Sequence, residues 1–166
     1  MGKCFIVLGM HRTASSLLAN GLKQAGINMG DTLLGPGHGN EKGHFEDMDF
    51  LHMNEQLLVA AGGTWDNPPS EKAIIEAGKT HAKGIRKLIN RKNKNEQWGW
   101  KDPRTVLTIR CYLPFLDDPC FLVCLRRPEM IAKSLSERDG TTIEFGIELA
   151  EIYNERLLNF LNEGVK

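Results

Sequence analysis

The chain has 166 residues, of which 41% are hydrophobic and 25% charged, a balance typical of one globular domain. Its 21 basic and 21 acidic residues cancel to a net charge of zero, which argues against broad electrostatic binding to nucleic acid or an anionic membrane. No apolar segment is long enough to span a bilayer, and the opening MGKCFIVLG is too short and too strand-like for a signal peptide. We therefore expect a single cytoplasmic domain over residues 1–166, with an oligomeric state that the composition does not specify.

Segments with the spacing of strands and helices alternate along the chain. Short apolar runs predict strands, and apolar residues recurring at helical spacing predict helices. The strands are expected at 3–8, 96–100 and 119–127, and the helices at 15–25, 47–61, 70–92, 105–116, 128–138 and 142–163. The glycine-rich residues 28–45 predict a long loop. This order predicts an α/β fold with a small parallel sheet flanked by helices in three layers.

Four cysteines are present, and none of their spacings is that of a zinc site. Cys4 and Cys124 lie in apolar strand-like runs, where a thiol behaves as a small hydrophobic group. We expect all four to be buried, reduced thiols rather than disulfides or metal ligands.

The most informative stretch is GMHRTASSLL, residues 9–18, which separates the first predicted strand from the first predicted helix. A Walker A loop would read G-x-x-x-x-G-K-[ST]. Here Ser16 matches the last hydroxyl, Ala14 replaces the second glycine and Ser15 replaces the lysine. Backbone N–H groups at a helix N-terminus still favour an anion, with hydroxyls from Thr13, Ser15 and Ser16 and a guanidinium from Arg12. The alternative is a plain strand–turn–helix in which Ser15 caps the helix.

A second arginine–serine pair occurs in LRRPEMIAKSL, residues 125–135, where a predicted strand again leads into a helix. Arg126 and Arg127 lie at the carboxyl end of that strand, the side on which open parallel sheets bind ligands. Ser134 follows about two helical turns later. Arg126 and Ser134 are therefore candidates to bind a second phosphate, although an exposed arginine and an ordinary helical serine would give the same pattern.

Together with GHFED (43–47) and WGWKDPR (98–104), these two motifs give the chain a likeness to a known family. The chain resembles the sulfotransferases that use 3′-phosphoadenosine 5′-phosphosulfate (PAPS), particularly their bacterial branch, over residues 3–138. The resemblance implies a P-loop NTPase-like fold. It also implies that residues 12–16 hold the 5′-phosphosulfate, and that Arg126 and Ser134 hold the 3′-phosphate. The chain departs from the family at Ala14, where glycine is usual and where a positive φ would be strained.

The resemblance further implies the chemistry, which is transfer of a sulfuryl group to a hydroxyl or amine of a small molecule or sugar. Arg12 is the candidate to stabilise negative charge on the leaving phosphate. Glu46 and His44 are the candidates for the general base, although Glu46 also suits a helix N-terminus. Lys101, at the end of the second strand, is a candidate to contact the reacting groups. No metal is expected, because PAPS lacks the triphosphate that recruits magnesium.

Several alternatives are left open by the residues. Arg104 is a candidate to contact cofactor or acceptor, or else forms an ion pair with Asp102. The three tryptophans are expected to pack in the core rather than stack on a ligand. A small-molecule kinase would need a lysine in the loop and a metal-binding aspartate, for which Asp102 is the candidate. Because the chain is shorter than is usual in the family, a non-catalytic nucleotide-binding relative is a further alternative.

Overall fold

Three short strands pair in parallel in the computed structural model, which describes residues 2–35, 37 and 43–164. They are β1 (Lys3–Leu8), β2 (Gln97–Lys101) and β3 (Cys120–Val123). The spatial order is β2–β1–β3, so the first strand of the chain lies at the centre. Lys3 of β1 lies opposite Gln97 of β2, and Phe5 lies opposite Cys120 of β3.

Within the described ranges, six α-helices flank this sheet, at positions close to those predicted. They are α1 (Ser15–Gln24), α2 (Met48–Ala60), α3 (Glu71–Lys92), α4 (Thr105–Tyr112), α5 (Pro128–Asp139) and α6 (Ile143–Asn162). The α/β class and the small parallel sheet flanked by helices are therefore confirmed.

The alternation of side chains along β1 divides the core between the two faces of the sheet. Phe5 and Val7 point to the face covered by α1, where they pack with Ala19 and Met29. Cys4, Ile6 and Leu8 point to the other face, where the larger cluster contains residues of α2 through α6. Because both faces of the central strand are covered, β1 is apolar at nearly every position, as its sequence predicts.

Two predicted elements are shorter in the structure than their sequence patterns indicate. The strand predicted as buried over 119–127 forms only Cys120–Val123, and its residues are half-buried or exposed. This prediction was wrong because β3 is an edge strand of the described sheet and pairs with β1 on one side alone. The helix predicted over 105–116 ends at Tyr112 and continues as a 3₁₀ turn, Leu113–Phe115, where Pro114 supplies no N–H.

The four cysteines are free thiols, as expected, but only two of them are buried. Cys4 and Cys111 lie in the core, and burial raises the pKa of the Cys111 thiol to about 11. Cys120 and Cys124 are half-buried, because the edge strand leaves that part of the sheet partly open.

The loop predicted over 28–45 is described except at Pro36 and 38–42, so His38 lies outside the described residues. In the described part of the chain, no helix combines the length and the apolarity that crossing a membrane requires.

Candidate functional site

The carboxyl ends of the three parallel strands meet at one edge of the sheet, together with the loops that follow them. A cavity of about 300 Å³ opens at this edge. Its lining comprises His11, Arg12, Ala14, Ser15, Ser16, His44, Glu46, Lys101, Pro103, Arg126, Ser134 and Arg138. We call this space the anion cavity. Every predicted site residue except Thr13 lines it, although these residues come from four separate parts of the chain.

The loop after β1 is tightly folded and enters α1 through backbone that L-amino acids rarely adopt. A Cβ added at Gly9 would lie 2.7 Å from the carbonyl oxygen of Cys124, so glycine permits the close approach to the end of β3. Arg12 and Ala14 have φ values of 69° and 65°, in the left-handed region. The strain predicted at Ala14 is therefore present. Ala14 is itself the N-cap of α1, so the alternative in which Ser15 caps the helix was wrong.

The two arginine–serine motifs are joined directly by hydrogen bonds. Arg12 Nε donates to Ser134 Oγ at 2.8 Å, across 122 residues of sequence. Arg126 donates from a terminal guanidinium nitrogen to the backbone carbonyl of Arg12 at 2.9 Å. Burial, together with the positive charges of Arg138 and Arg126, lowers the pKa of Arg12. A guanidinium still remains protonated at neutral pH, so positive charge is concentrated here.

Lys101 brings an ammonium group to the N-terminus of α1 from the end of the neighbouring strand. Its Nζ donates to Ser16 Oγ at 3.1 Å, to the carbonyl of His44 at 3.0 Å and to Glu46 Oε1 at 2.7 Å. The side chains of Lys101 and Glu46 are each only 4% exposed. Lys101 therefore places a buried cation beside the first turn of α1, through a hydrogen bond to Ser16.

His44 lies at the surface of the anion cavity, next to this buried pair. Its Nδ1 is 3.8 Å from Glu46 Oε2, so the carboxylate faces the ring beyond hydrogen-bond distance. Burial lowers the pKa of His44, and Lys101, Arg138 and Arg12 lower it further, whereas Glu46 opposes this shift. The imidazole is therefore neutral at pH 7 and able to accept a proton.

Thr13 is the predicted site residue whose side chain does not line the cavity. It is buried, and its hydroxyl donates to the carbonyl of Met10 at 2.7 Å, within the loop itself. Thr13 thus holds the shape of the loop, while the hydroxyl-bearing residues Ser15 and Ser16 line the cavity.

Sequence reasoning gave no role to His11, Pro103 or Arg138, all of which line the cavity. Arg138 follows Ser134 by four residues on α5, and this spacing places both side chains on one face of the helix. The spacing is the sequence signal by which Arg138 could have been predicted to line the cavity. His11 stands inside the quoted loop motif, but only the structure shows its ring 4.5 Å from that of Trp65. Burial lowers the pKa of His11 well below its usual value, assisted by Arg104, Arg138 and Lys101.

Asp102 and Arg104 form the local ion pair that the sequence left as an alternative, at 2.9 Å. Asp102 is fully buried, and its second carboxylate oxygen accepts a hydrogen bond from Asn54 at 2.8 Å. With both oxygens engaged by nitrogen donors, this carboxylate fixes the turn between β2 and α4. That arrangement does not suit the metal-binding role that a kinase would require.

Two of the three tryptophans pack in the core as predicted. Trp98 and Trp100 are buried beside Phe50. Trp65 is half-buried and packs against the core, next to the anion cavity.

No protein-family model matches the chain, and no curated protein or solved structure is significantly similar to it. Inferences about function therefore rest on the residues of the anion cavity and on the motifs that form it.

Proposed function

We propose that the protein is a PAPS-dependent sulfotransferase that transfers a sulfuryl group to a hydroxyl or amine of a small molecule or sugar. The observation that carries this proposal is the charge of the anion cavity. Among the residues that the structure describes, its lining includes four basic side chains (Arg12, Lys101, Arg126 and Arg138) and one carboxylate, that of Glu46. This cationic excess at a helix N-terminus suits a ligand with several phosphate or sulfate groups.

The finer fold assignment is part of the same proposal. We interpret β1, the loop 9–14 and α1 as a P-loop-like phosphate-binding unit. The tight turn at Gly9 and the parallel strand on either side of β1 support this interpretation. The ammonium of Lys101, donated from β2, takes the electrostatic role that a Walker lysine has in its own loop.

The residues divide into two groups along the cavity. Ser15, Ser16, Arg12 and Lys101 surround the start of α1, where they would bind the 5′-phosphosulfate. Arg126 and Ser134 lie toward α5 and also line an adjoining cavity of about 220 Å³, which suits the 3′-phosphate. The hydrogen bond from Arg12 to Ser134 connects the two groups and presents both to one ligand.

When bound, PAPS supplies a sulfuryl group that moves to the acceptor oxygen or nitrogen as its bond to the 5′-phosphate oxygen breaks. Arg12 and Lys101 stabilise the negative charge that develops on that phosphate, because both cations are already fixed near the helix end. The proton lost by the acceptor goes to a base on the protein. In this mechanism the protein contributes mainly by positioning the reactants and by stabilising the negative charge that develops on the phosphate.

His44 suits the role of base better than Glu46. Glu46 is buried, and Oε1 already accepts a short hydrogen bond from Lys101. His44 is neutral at pH 7 and more exposed, with 21% of its side chain accessible. Glu46 then assists by facing the ring and favouring the imidazolium that proton transfer produces.

Thermal unfolding with nucleotides separates this proposal from its alternatives. Adenosine 3′,5′-bisphosphate at 100 times its dissociation constant should stabilise the protein by about 2.7 kcal/mol. For a domain of this size that raises Tm by roughly 5–10 °C. Stabilisation by ATP with magnesium, and none by the bisphosphate, would instead favour the small-molecule kinase.

Transfer from labelled PAPS to a panel of acceptors then distinguishes an enzyme from a non-catalytic nucleotide-binding relative. Binding of the bisphosphate without transfer to any acceptor would support the non-catalytic alternative. A transfer rate that falls in His44→Gln but not in His52→Gln would support His44 as the base, because His52 lies on α2 and outside the anion cavity.

A matched set of arginine variants tests the binding site itself. Arg12→Ala and Arg126→Ala should each weaken binding of the bisphosphate at least tenfold, since a hydrogen bond to a charged group contributes about 1.5–3 kcal/mol. Arg127→Ala is the control, because Arg127 adjoins Arg126 in sequence but does not line the anion cavity. Equal affinity in all three variants would contradict the site.

A further inference from the structure

The last residue of α3 carries an ammonium group that is almost fully buried. The side chain of Lys92 is 3% exposed, and its Nζ lies 2.6 Å from Asp47 Oδ2 and 2.8 Å from Asp31 Oδ2. A third carboxylate, that of Asp49, lies 3.1 Å from the same nitrogen. Asp47 is itself fully buried. Lys92 does not line the anion cavity, so this cation acts on the protein rather than on a ligand there.

Asp31 and Asp47 belong to two backbone segments that pair in antiparallel fashion. We call these segments, residues 31–34 and 44–47, the ribbon. One antiparallel bridge joins them at Asp47, and the N–H of Leu34 donates to the carbonyl of Glu46 at 2.8 Å. The ribbon begins with Asp31 and ends with Asp47, and both carboxylates accept a hydrogen bond from the buried ammonium. Both segments are therefore tied to the end of α3.

The Asp47 carboxylate is constrained from two further directions. Its Oδ1 accepts a hydrogen bond from the backbone N–H of Asp49 at 2.9 Å and so caps α2. The backbone also approaches this carboxylate at Gly30, which has a φ of 139°. A Cβ added at Gly30 would lie 2.8 Å from Asp47 Oδ2, so glycine permits the approach. These contacts leave Asp47 little freedom to move.

The two ends of the Asp47–Glu46 dipeptide serve different sites. Asp47 has extended backbone, with φ −69° and ψ 121°. Neighbouring side chains of an extended segment point to opposite sides, so Asp47 reaches Lys92 while Glu46 reaches Lys101 in the anion cavity. A slip of one residue would exchange the two sides. The placement of Glu46, and of His44 two residues earlier, therefore depends on the register of the ribbon.

We propose that Lys92 is a positioning residue, which holds the ribbon through Asp31 and Asp47 in the register that places His44 and Glu46 in the anion cavity. The effect on catalysis rests on the proposed sulfotransferase function, in which His44 is the base. A displacement of about 1 Å at a reacting group can lower a rate roughly 100-fold, so an anchor outside the cavity can control the chemistry.

The main test variant combines Lys92→Met with Asp47→Asn. Lys92→Met alone would leave the Asp47 carboxylate buried without a cation, which strongly destabilises a protein. The double variant removes both charges, and asparagine caps a helix about as well as aspartate does. Asp31→Ala is a milder second variant, because the side chain of Asp31 is 54% exposed and only one of the two ties is lost.

Arg110→Met is the matched control for a purely structural ion-pair cluster. The Arg110 side chain is 16% exposed and bonds Glu71 at 3.1 Å and Glu163 at 2.8 Å. It joins the first turn of α3 to the end of α6 and does not line the anion cavity. Circular dichroism establishes the folded fraction of each variant before the two measurements that follow.

The first measurement is an NMR titration of the His44 ring without nucleotide, assigned by comparison with His44→Gln. Burial and the neighbouring cations lower the pKa of His44 in the wild-type protein. This pKa should move toward its ordinary value in Lys92→Met/Asp47→Asn, and less far in Asp31→Ala, because the ring becomes more exposed. Arg110→Met should titrate as the wild type does. A wild-type curve in the double variant would overturn the inference, and if that variant does not fold, a wild-type curve in Asp31→Ala would do so.

The second measurement is sulfuryl transfer from PAPS by the same variants. The double variant should lower kcat at least tenfold and change the KM for PAPS less than threefold, because Arg12, Arg126 and Ser134 lie outside the ribbon. The acid limb of its kcat/KM profile should move with the pKa of His44, which a loss of folded protein alone would not cause. An unchanged kcat with a raised KM would overturn the inference.

The two measurements keep the inference and the proposed function distinguishable. If the wild-type protein transfers sulfuryl to no acceptor, the proposed function fails, while the titration still decides whether Lys92 places His44 in the cavity. If the wild-type protein is active and the double variant keeps the wild-type titration and rate, the positioning role is wrong and the proposed function stands.

Discussion

The contribution of the buried Lys101–Glu46 ion pair to the stability of the protein can be measured by substitution. Lys101→Met keeps the length of the side chain and removes the ammonium. The Glu46 carboxylate, only 4% exposed, then has no cationic partner at 2.7 Å. Removing one member of a buried ion pair costs about 3–5 kcal/mol, because the other charge is left desolvated. For a domain of this size, Tm should fall by roughly 6–20 °C.

Urea unfolding monitored by circular dichroism measures this loss, and a double variant shows its origin. Lys101→Met combined with Glu46→Gln removes both charges and should be more stable than Lys101→Met alone by about 1–3 kcal/mol. If the two single substitutions were instead additive, the carboxylate would not be the cause of the loss.

A second lysine–glutamate pair supplies the control. Lys79 and Glu76 also lie 2.6 Å apart, but their side chains are 66% and 58% exposed on α3. Lys79→Met should therefore change the free energy of unfolding by less than about 1 kcal/mol, since water screens exposed pairs. A loss of equal size at Lys101 and Lys79 would refute the argument that burial makes the difference.

Three further predictions concern other parts of the site and its support. Ala14→Gly should leave stability unchanged or raise it by up to about 1.5 kcal/mol in urea unfolding, because relief at φ 65° exceeds the added entropy of the unfolded chain. His11→Phe should flatten the pH dependence of stability, measured by urea unfolding from pH 7.5 to 5. The pKa of His11 is depressed in the folded state, so below about pH 6.5 the unfolded chain binds a proton that the folded chain does not. The wild-type protein therefore loses up to about 1.4 kcal/mol per pH unit through this residue as the pH falls, and an unaltered slope in the variant would contradict the assignment. Asn54→Leu should cost at least about 3 kcal/mol by calorimetry, because Asp102, Thr108 and Tyr112 each lose a buried hydrogen bond to the Asn54 amide; a cost below about 1 kcal/mol would contradict it.

Local pattern was sufficient to predict most elements of this fold. The helix predicted over 70–92 is α3, Glu71–Lys92, and Ser70 caps it because its hydroxyl oxygen accepts a hydrogen bond from the backbone N–H of Ala73. The stop after α1 follows from Gly26, which has a φ of 93°. Such signals depend on residues a few positions apart, so they can be recognised from the sequence alone. The burial of β3 was not predictable in this way, since an edge strand and a central strand have similar apolar runs.

The candidate site could be anticipated only in outline. The carboxyl ends of parallel strands share an edge, which is why Arg12 and Arg126 could be expected near one another. The hydrogen bond from Arg12 to Ser134 and the approach of Lys101 to Ser16 depend on exact strand register and helix placement. Nor does the sequence indicate that Thr13 turns inward to Met10 while its neighbours face the cavity.

The sequence by itself determined the order of elements, the loop that can hold an anion and the residue types that its chemistry requires. These follow from backbone preferences and side-chain periodicity, which act over short stretches of chain. Tertiary structure decided which charges meet, because an ion pair such as Lys101–Glu46 joins residues 55 positions apart. It also decided that the ring of Trp65 packs 4.5 Å from that of His11, a contact that arises only when the turn after α2 lies beside the loop after β1.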